Sequence, residues 1–137
     1  MSSPTHRFTY RVYWEDTDAG GVVYHARYLH FYERARTDWL LALGFPQVAF
    51  RAKTQCVFVV TQMQMDFLKP AQLEDELSVS VHVQQMRKAS MVFDQTIERV
   101  SDNALLNRAE VSVAAVHSDT FKPSRLPREF ITALKPS

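Results

Sequence analysis

Three acidic residues stand within four positions near the start of the chain, directly before a pair of glycines. Glu15, Asp16 and Asp18 follow an aromatic segment, and Gly20 and Gly21 come next. A predicted helix begins a few residues later, so a carboxylate could lie near the free backbone N–H groups of a helix N-terminus. Those N–H groups and the helix dipole can polarise a carbonyl oxygen. A carboxylate beside such an oxyanion site is the minimum needed to hydrolyse an activated acyl bond.

The same segment also has a purely structural interpretation. Asp16, Thr17 and Asp18 are residue types that form turns and cap helices, and glycine lets the backbone turn. Spacing alone leaves both interpretations open. It also does not indicate which carboxylate would carry the chemistry.

A strand and a helix must position this segment. Residues 8–14 (FTYRVYW) alternate in polarity and favour a strand. From about residue 25, apolar residues recur at three- and four-residue steps, which predicts an amphipathic helix over 28–43 that ends at Gly44. Residues 47–54 could hold one more helical turn.

Four long strands are predicted after the helix, over residues 57–69, 76–86, 91–100 and 104–117. Because short turns at 87–90 and 101–103 connect neighbouring strands, the sheet should be mainly antiparallel. Residues 118–137 contain three prolines and are expected to form an irregular tail. The whole chain, residues 1–137, is expected to form one domain.

The predicted sheet has more apolar surface than one helix can bury. A helix about 10 Å wide covers roughly two strands spaced about 4.8 Å apart. The remaining half-apolar strands indicate that another subunit covers or extends the sheet. We therefore expect at least a homodimer.

Composition excludes several classes of protein. The 16 Lys and Arg residues nearly balance the 15 Asp and Glu residues, for a formal net charge of +1. That balance argues against a protein whose main role is to neutralise nucleic-acid phosphates. A single cysteine, Cys56, excludes an intrachain disulfide framework and a four-cysteine zinc site. With no transmembrane run and no signal-peptide pattern, we expect a cytoplasmic protein.

Residues 13–28, YWEDTDAGGVVYHARY, followed by ERAR at 33–36, resemble the hotdog-fold acyl-CoA thioesterases of the 4-hydroxybenzoyl-CoA thioesterase type. The resemblance covers nearly the whole chain and includes FLKPA at 67–71 and LLNRAE at 105–110. It is strongest to the bacterial members associated with the Tol-Pal envelope system. It implies an α+β hotdog fold, in which an antiparallel five-stranded sheet wraps around one long central helix.

The resemblance also implies roles for individual residues. The second aspartate of the DTD triplet is the family's catalytic carboxylate, so Asp18 is the candidate nucleophile or general base. The backbone N–H groups near Tyr24 and His25 would hold the thioester carbonyl oxygen. Attack by water then releases coenzyme A thiolate, and neither a metal nor another cofactor is required.

The family binds coenzyme A across a subunit interface, where basic residues meet its phosphates. The turn at 87–90 matches that region, and Arg87, Lys88 and Ser90 offer two cations and a hydroxyl that suit phosphate. A solvated hairpin is the alternative interpretation. The implied assembly is a homo-oligomer, a tetramer built from dimers.

Two other functions stay open beside acyl-CoA hydrolysis. One is a hotdog dehydratase or hydratase, although the DTDAGGVVYH segment fits the thioesterase pattern better. The other is a binding module for an acyl carrier protein or for envelope assembly, with incidental thioesterase activity. An acyl carrier protein is also the alternative donor to coenzyme A.

Polar residues on the predicted helix add two weaker hypotheses. Glu33 and Arg36 share one helix face, where a salt bridge is the simplest interpretation and a substrate or interface contact is the alternative. His30 and Glu33 also share a face and could suggest a metal site, but an ordinary surface or core pair explains them more simply.

Overall fold

The computed structural model describes residues 4–134. The elements, in chain order, are β1 (His6–Arg11), a 3-10 turn (Trp14–Asp16), α1 (Arg27–Ala42), α2 (Gln47–Thr54), β2 (Cys56–Phe67), β3 (Glu76–Met86), β4 (Ser90–Arg99), β5 (Leu105–His117) and α3 (Arg128–Leu134). No helix in this range is long and apolar enough to cross a membrane.

The five strands form one sheet in the order β1-β3-β4-β5-β2, and every neighbouring pair is antiparallel. A register shift between Val60 and Gln62 places a bulge in β2, which bends that strand. The sheet wraps around α1, as expected. Its two edge strands are β1 and β2.

The long helix α1 buries one face against the sheet because its apolar residues recur with helical spacing. The buried residues are Tyr28, Phe31, Tyr32, Ala35, Trp39 and Leu40. Gly44 ends the helix as predicted, with a φ of +90° that glycine adopts without strain. The N–H of Phe45 donates to the carbonyl of Leu40 at 2.8 Å, and that of Gly44 donates to Leu41 at 3.0 Å. These two bonds form the Schellman motif.

Two elements near the helix differ from the sequence prediction. The first strand, predicted over residues 8–14, ends at Arg11. Trp14 lies outside it and begins the 3-10 turn. The single turn expected at 47–54 is a helix of eight residues, α2.

The irregular C-terminal tail is a wrong prediction, because α3 forms there and packs on the core. Leu126, Phe130 and Leu134 are buried, and Phe130 is fully so. The Phe130 ring lies 5.4 Å from the rings of Phe45 and Phe58. Because Phe130 and Leu134 are four residues apart, they lie on one face of α3.

Candidate active site

The loop between β1 and α1 is held together by Asp16, whose side chain is buried. Its Oδ2 accepts the N–H of Tyr13 at 2.9 Å, and its Oδ1 lies 3.5 Å from Nε of Arg27. Its main-chain carbonyl accepts the N–H of Tyr24 at 3.0 Å. Asp16 therefore ties the two ends of the loop together, and both of its carboxylate oxygens have partners.

Asp18 lies on the exposed side of the same loop, in a tight turn. Its N–H donates to the carbonyl of Val22 at 3.0 Å, and its carbonyl accepts the N–H of Gly21 at 3.1 Å. Its Oδ1 accepts the N–H of Gly20 at 2.8 Å. Its Oδ2 has no hydrogen-bond partner within residues 4–134. The turn thus fixes the carboxylate and leaves one oxygen available to a ligand or a water molecule.

The third acid, Glu15, is exposed, and its Oε2 lies 3.7 Å from Nη2 of Arg27. An ion pair this open to solvent contributes little to stability. The structure therefore separates three acids that spacing could not distinguish. Asp16 is a structural residue, Glu15 is a surface residue, and Asp18 has an oriented but accessible carboxylate.

The start of α1 corrects one prediction about the oxyanion site. The N–H of Tyr24 already donates to the carbonyl of Asp16, so it is not a free donor. Across the described part of the chain, the N–H groups of His25 and Ala26 donate no hydrogen bond, and no side chain caps the helix. Groups like these are the orphan donors of a helix N-terminus. The N–H groups of His25 and Ala26 are therefore available to a ligand, and the exposed Tyr24 ring packs 4.3 Å from the His25 ring.

The sequence does not indicate Ala26 as a site residue, because a backbone donor does not depend on its side chain. The one available signal is the lack of a Ser, Thr, Asp or Asn at the helix start, since those residues would occupy the first N–H groups.

An apolar groove opens at His25, between the start of α1 and the end of β2. Its lining residues are Val23, His25, Tyr28, Phe67, Leu68, Lys69 and Pro70. The ring of Phe67 packs edge-on against that of Tyr28 at 5.4 Å. An extended apolar chain could lie here with a carbonyl oxygen at the helix start.

The predicted phosphate-binding turn lies at the far end of the sheet. Arg11 pairs with Glu76, so the loop that carries Asp18 is beside the start of β3, whereas Arg87 follows its end. The ten steps along β3 span about 33 Å. Arg87 and Lys88 are exposed and Ser90 is half-buried. One chain therefore does not bring this turn and Asp18 together.

The predicted salt bridge between Glu33 and Arg36 is also wrong. Nη1 of Arg36 donates instead to Oε1 of the buried Gln95 at 2.8 Å, and no carboxylate oxygen lies within 4.0 Å of Arg36 among the residues described. Between residues 4 and 134, no three His, Cys, Asp or Glu side chains are grouped so as to hold a metal ion.

Known proteins with similar sequences are acyl-CoA thioesterases. The thioesterase superfamily matches residues 20–105. Acyl-CoA thioester hydrolase YbgC of Escherichia coli O157:H7 is 44% identical over 135 residues, which cover 98% of this chain and 99% of that protein. Acyl-CoA thioesterase YbgC of Haemophilus influenzae is 45% identical over 122 residues, 89% of this chain and 88% of its own.

Solved structures show the same architecture. A probable thioesterase from Bartonella henselae has a TM-score of 0.84 and 35% identity, covering 90% of this chain and 100% of its own. The 1,4-dihydroxy-2-naphthoyl-CoA thioesterase Slr0204 from Synechocystis has a TM-score of 0.88 and 25% identity, covering 96% of both chains.

Proposed function

The chain belongs to the thioesterase superfamily, with a hotdog fold, and hydrolyses acyl-CoA thioesters, and we propose that Asp18 supplies the carboxylate for that reaction. One observation carries this assignment. Of the three acids in the loop, Asp18 alone combines a fixed position with an exposed, unpartnered carboxylate oxygen. A group with this freedom can contact a substrate or a water molecule, whereas the carboxylate of Asp16 cannot.

The proposed mechanism places the thioester carbonyl oxygen at the N–H groups of His25 and Ala26. Negative charge develops on that oxygen during attack, and preorganised N–H donors at a helix N-terminus stabilise it. Asp18 acts on the carbonyl carbon directly, giving a mixed anhydride that water then hydrolyses, or it takes a proton from the attacking water. In both routes the C–S bond breaks and the thiolate of coenzyme A leaves. No metal or other cofactor takes part in the proposed reaction.

Replacement of Gly20 by alanine is expected to lower kcat without destabilising the protein. A Cβ here would lie 3.3 Å from Oδ1 of Asp18, so the carboxylate must shift by a few tenths of an ångström. Because a misplacement of about 1 Å can cost about 10²-fold in rate, we expect a loss of roughly tenfold. Steady-state thiol release and thermal unfolding would measure the two effects.

The matched control for Gly20 is Gly44→Ala, far from the loop. Its positive φ means that alanine should lower the free energy of unfolding by about 1–2 kcal/mol and leave kcat unchanged. If Gly20→Ala lost stability and Gly44→Ala lost activity, the contact with Asp18 would not be what positions the carboxylate.

We also propose that two copies of the chain pair through the free edge of β2. This strand has 12 residues and a single charged one, Asp66. The other edge, β1, has only six residues and carries Arg7 and Arg11, which are engaged in ion pairs with Glu98 and Glu76. Charged side chains and short length disfavour the pairing of an edge strand with another chain, whereas a long edge strand with little charge favours it.

A two-fold axis through the middle of β2 would place the predicted coenzyme A site across the interface. Antiparallel pairing of β2 with its copy brings the Cys56 end of one strand beside the Phe67 end of the other. The partner's turn with Arg87, Lys88 and Ser90 then lies at the same end of the joined sheet as Asp18. This arrangement explains how residues about 33 Å apart in one chain could serve one substrate.

Mixing two defective variants is expected to restore activity. Asp18→Asn removes the carboxylate, and Arg87→Gln with Lys88→Gln removes two phosphate partners, so each homodimer should be defective. A mixed dimer would contain one site with both Asp18 and the intact turn. Thiol release at low acyl-CoA concentration, measured after the two variants are unfolded and refolded together, should exceed the sum of the separate proteins.

The control places all three substitutions in one chain and mixes it with the wild-type chain. If each site uses two subunits, neither site of that mixed dimer is intact. Recovery in the control mixture but not in the first mixture would show that Asp18 and the turn act within one chain, and would contradict the proposal.

The wider assignments are proposals of the same kind. A tetramer built from dimers, association with the Tol-Pal system and an acyl carrier protein as an alternative donor follow from the family resemblance. A cytoplasmic location suits a chain with one unpaired cysteine, Cys56. If Asp18→Asn retained the biological role without hydrolysis, the protein would act mainly as a binding module.

A further inference from the structure

A second cavity lies between α1 and the sheet, beyond the groove at His25. Its volume is about 210 Å³. The strands contribute apolar side chains to its wall, from Phe58, Val60, Met91, Phe93 and Val113. The helix contributes Trp39 and Leu40 together with polar side chains, among them the half-buried Arg36.

The orientation of Arg36 is fixed by Gln95, which is fully buried. Nε2 of Gln95 donates to the carbonyls of Ser80 at 3.1 Å and Tyr32 at 3.3 Å. Both amide hydrogens are thereby used, so the Gln95 oxygen must face Arg36, which donates to it at 2.8 Å. Within residues 4–134, the other four guanidinium N–H donors of Arg36, which lines the cavity, have no protein acceptor.

The cation in this cavity lacks an anionic partner within residues 4–134. Burial lowers the pKa of Arg36, and the charge of Glu33 opposes that shift, but arginine stays protonated in proteins. Glu33 also lines the cavity, yet it is exposed and lies more than 4.0 Å from Arg36. A half-buried guanidinium whose hydrogen-bond partner is a neutral amide would gain from binding an anion.

Both cavities lie along the seam between α1 and β2, at opposite ends of it. Met63 and Met65, which lie on β2 between them, are partly buried against the core. Methionine is unbranched and adaptable, so this part of the seam can make room for a chain. An acyl group with its carbonyl oxygen at His25 could extend along the seam toward Arg36.

We propose that the cavity at Arg36 receives the far end of the acyl group and selects acyl chains that end in a carboxylate. This proposal rests on the proposed function, because it assumes that the thioester lies at the start of α1. The guanidinium would hold the terminal carboxylate, while Phe58, Val60 and Phe93 would contact the methylene groups next to it.

The length of the helix sets the length of the preferred acyl chain. Arg36 follows His25 by eleven residues, or about 16 Å along the axis, and helical side chains lean back by roughly one turn, about 5 Å. The remaining distance is about 11 Å. An extended chain advances about 3.5 Å for every three bonds, so about nine bonds are needed between the thioester carbonyl oxygen and a terminal carboxylate oxygen. A dicarboxylic acyl group of about eight carbons has that length.

The test compares suberyl-CoA, which ends in a carboxylate, with octanoyl-CoA, which has the same chain length. Arg36→Gln should lower the ratio of their kcat/KM values by at least about tenfold. The ratio of succinyl-CoA to butyryl-CoA should not change, because a four-carbon chain does not reach Arg36. Arg34→Gln is the matched control, since Arg34 lies over the rings of Tyr10 and Phe31 and should leave the suberyl-to-octanoyl ratio unchanged.

A second variant keeps the test decisive if Arg36→Gln does not fold. Glu33 is exposed, so Glu33→Gln should fold, and removing its negative charge should raise the suberyl-to-octanoyl ratio. Unchanged ratios in both variants would overturn the proposal. If the ratios stay unchanged and light scattering shows that the dimer is lost, the cavity belongs to a subunit contact, and the proposal is also overturned. The proposed function fails separately, if Asp18→Asn releases thiol from octanoyl-CoA as fast as the wild-type chain does.

Discussion

Asp18→Asn is expected to lower kcat for acyl-CoA hydrolysis by at least about 10²-fold, or about 2.7 kcal/mol of transition-state stabilisation. Asparagine keeps a side-chain oxygen that can accept the Gly20 N–H, so the turn should survive. The amide, however, is neither a base nor a useful nucleophile at neutral pH. Thiol release from acyl-CoAs between acetyl and palmitoyl in length, with aromatic ones included, would measure the loss.

The matched control is Glu15→Gln, which removes a carboxylate from the same loop. Glu15 is exposed and only loosely paired with Arg27, so kcat should stay within about twofold of the wild type. If Asp18→Asn kept activity within a few-fold of the wild type, Asp18 would not be the catalytic carboxylate. An equal loss in Glu15→Gln would mean that the loop responds to its total charge rather than to one group.

The periodicity of the sequence predicted the main elements closely. The helix expected over 28–43 is Arg27–Ala42, and the strand expected over 76–86 is Glu76–Met86. Both have one face against the core and one toward solvent, and an alternation of that kind is visible in the sequence itself. The first strand is less accurately predicted because a local side-chain contact, which alternation in polarity does not show, ends it. The carboxylate of Asp16 holds the N–H of Tyr13 and turns the chain there.

The candidate site was predictable only in part. Acidic residues and glycines at the end of a strand are visible in a sequence, and the family resemblance selected Asp18 among them. Which backbone N–H groups stay free depends on distant partners. The carbonyl of Asp16, eight residues earlier, occupies the N–H of Tyr24. The separation of Asp18 from Arg87 likewise follows from strand register, which no local pattern contains.

The prediction of an irregular C-terminal tail is wrong for a different physical reason. Pro123 and Pro127 suggested an irregular chain, but proline is well suited to the first turn of a helix. The carbonyl of Pro127 accepts the N–H groups of Phe130 and Ile131, each at 3.1 Å, as α3 begins. The helix is short, so its stability must come from the aromatic side chains that it packs against.

Phe130→Ala is accordingly expected to lower the free energy of unfolding by about 3–5 kcal/mol, the usual cost of removing a buried aromatic ring. Phe130 is fully buried, and its ring lies 6.0 Å from those of Trp39 and Phe50, so its loss would open a cavity that joins α1, α2 and α3. The control is Phe121→Ala in the same segment, where the side chain is 67% exposed and the change should stay within about 0.5 kcal/mol. Urea unfolding of both variants would measure the difference. Equal stability in the two would mean that the C-terminal segment is not part of the core, whereas a large loss in Phe130→Ala alone would show that the hotdog domain of this protein depends on its last helix.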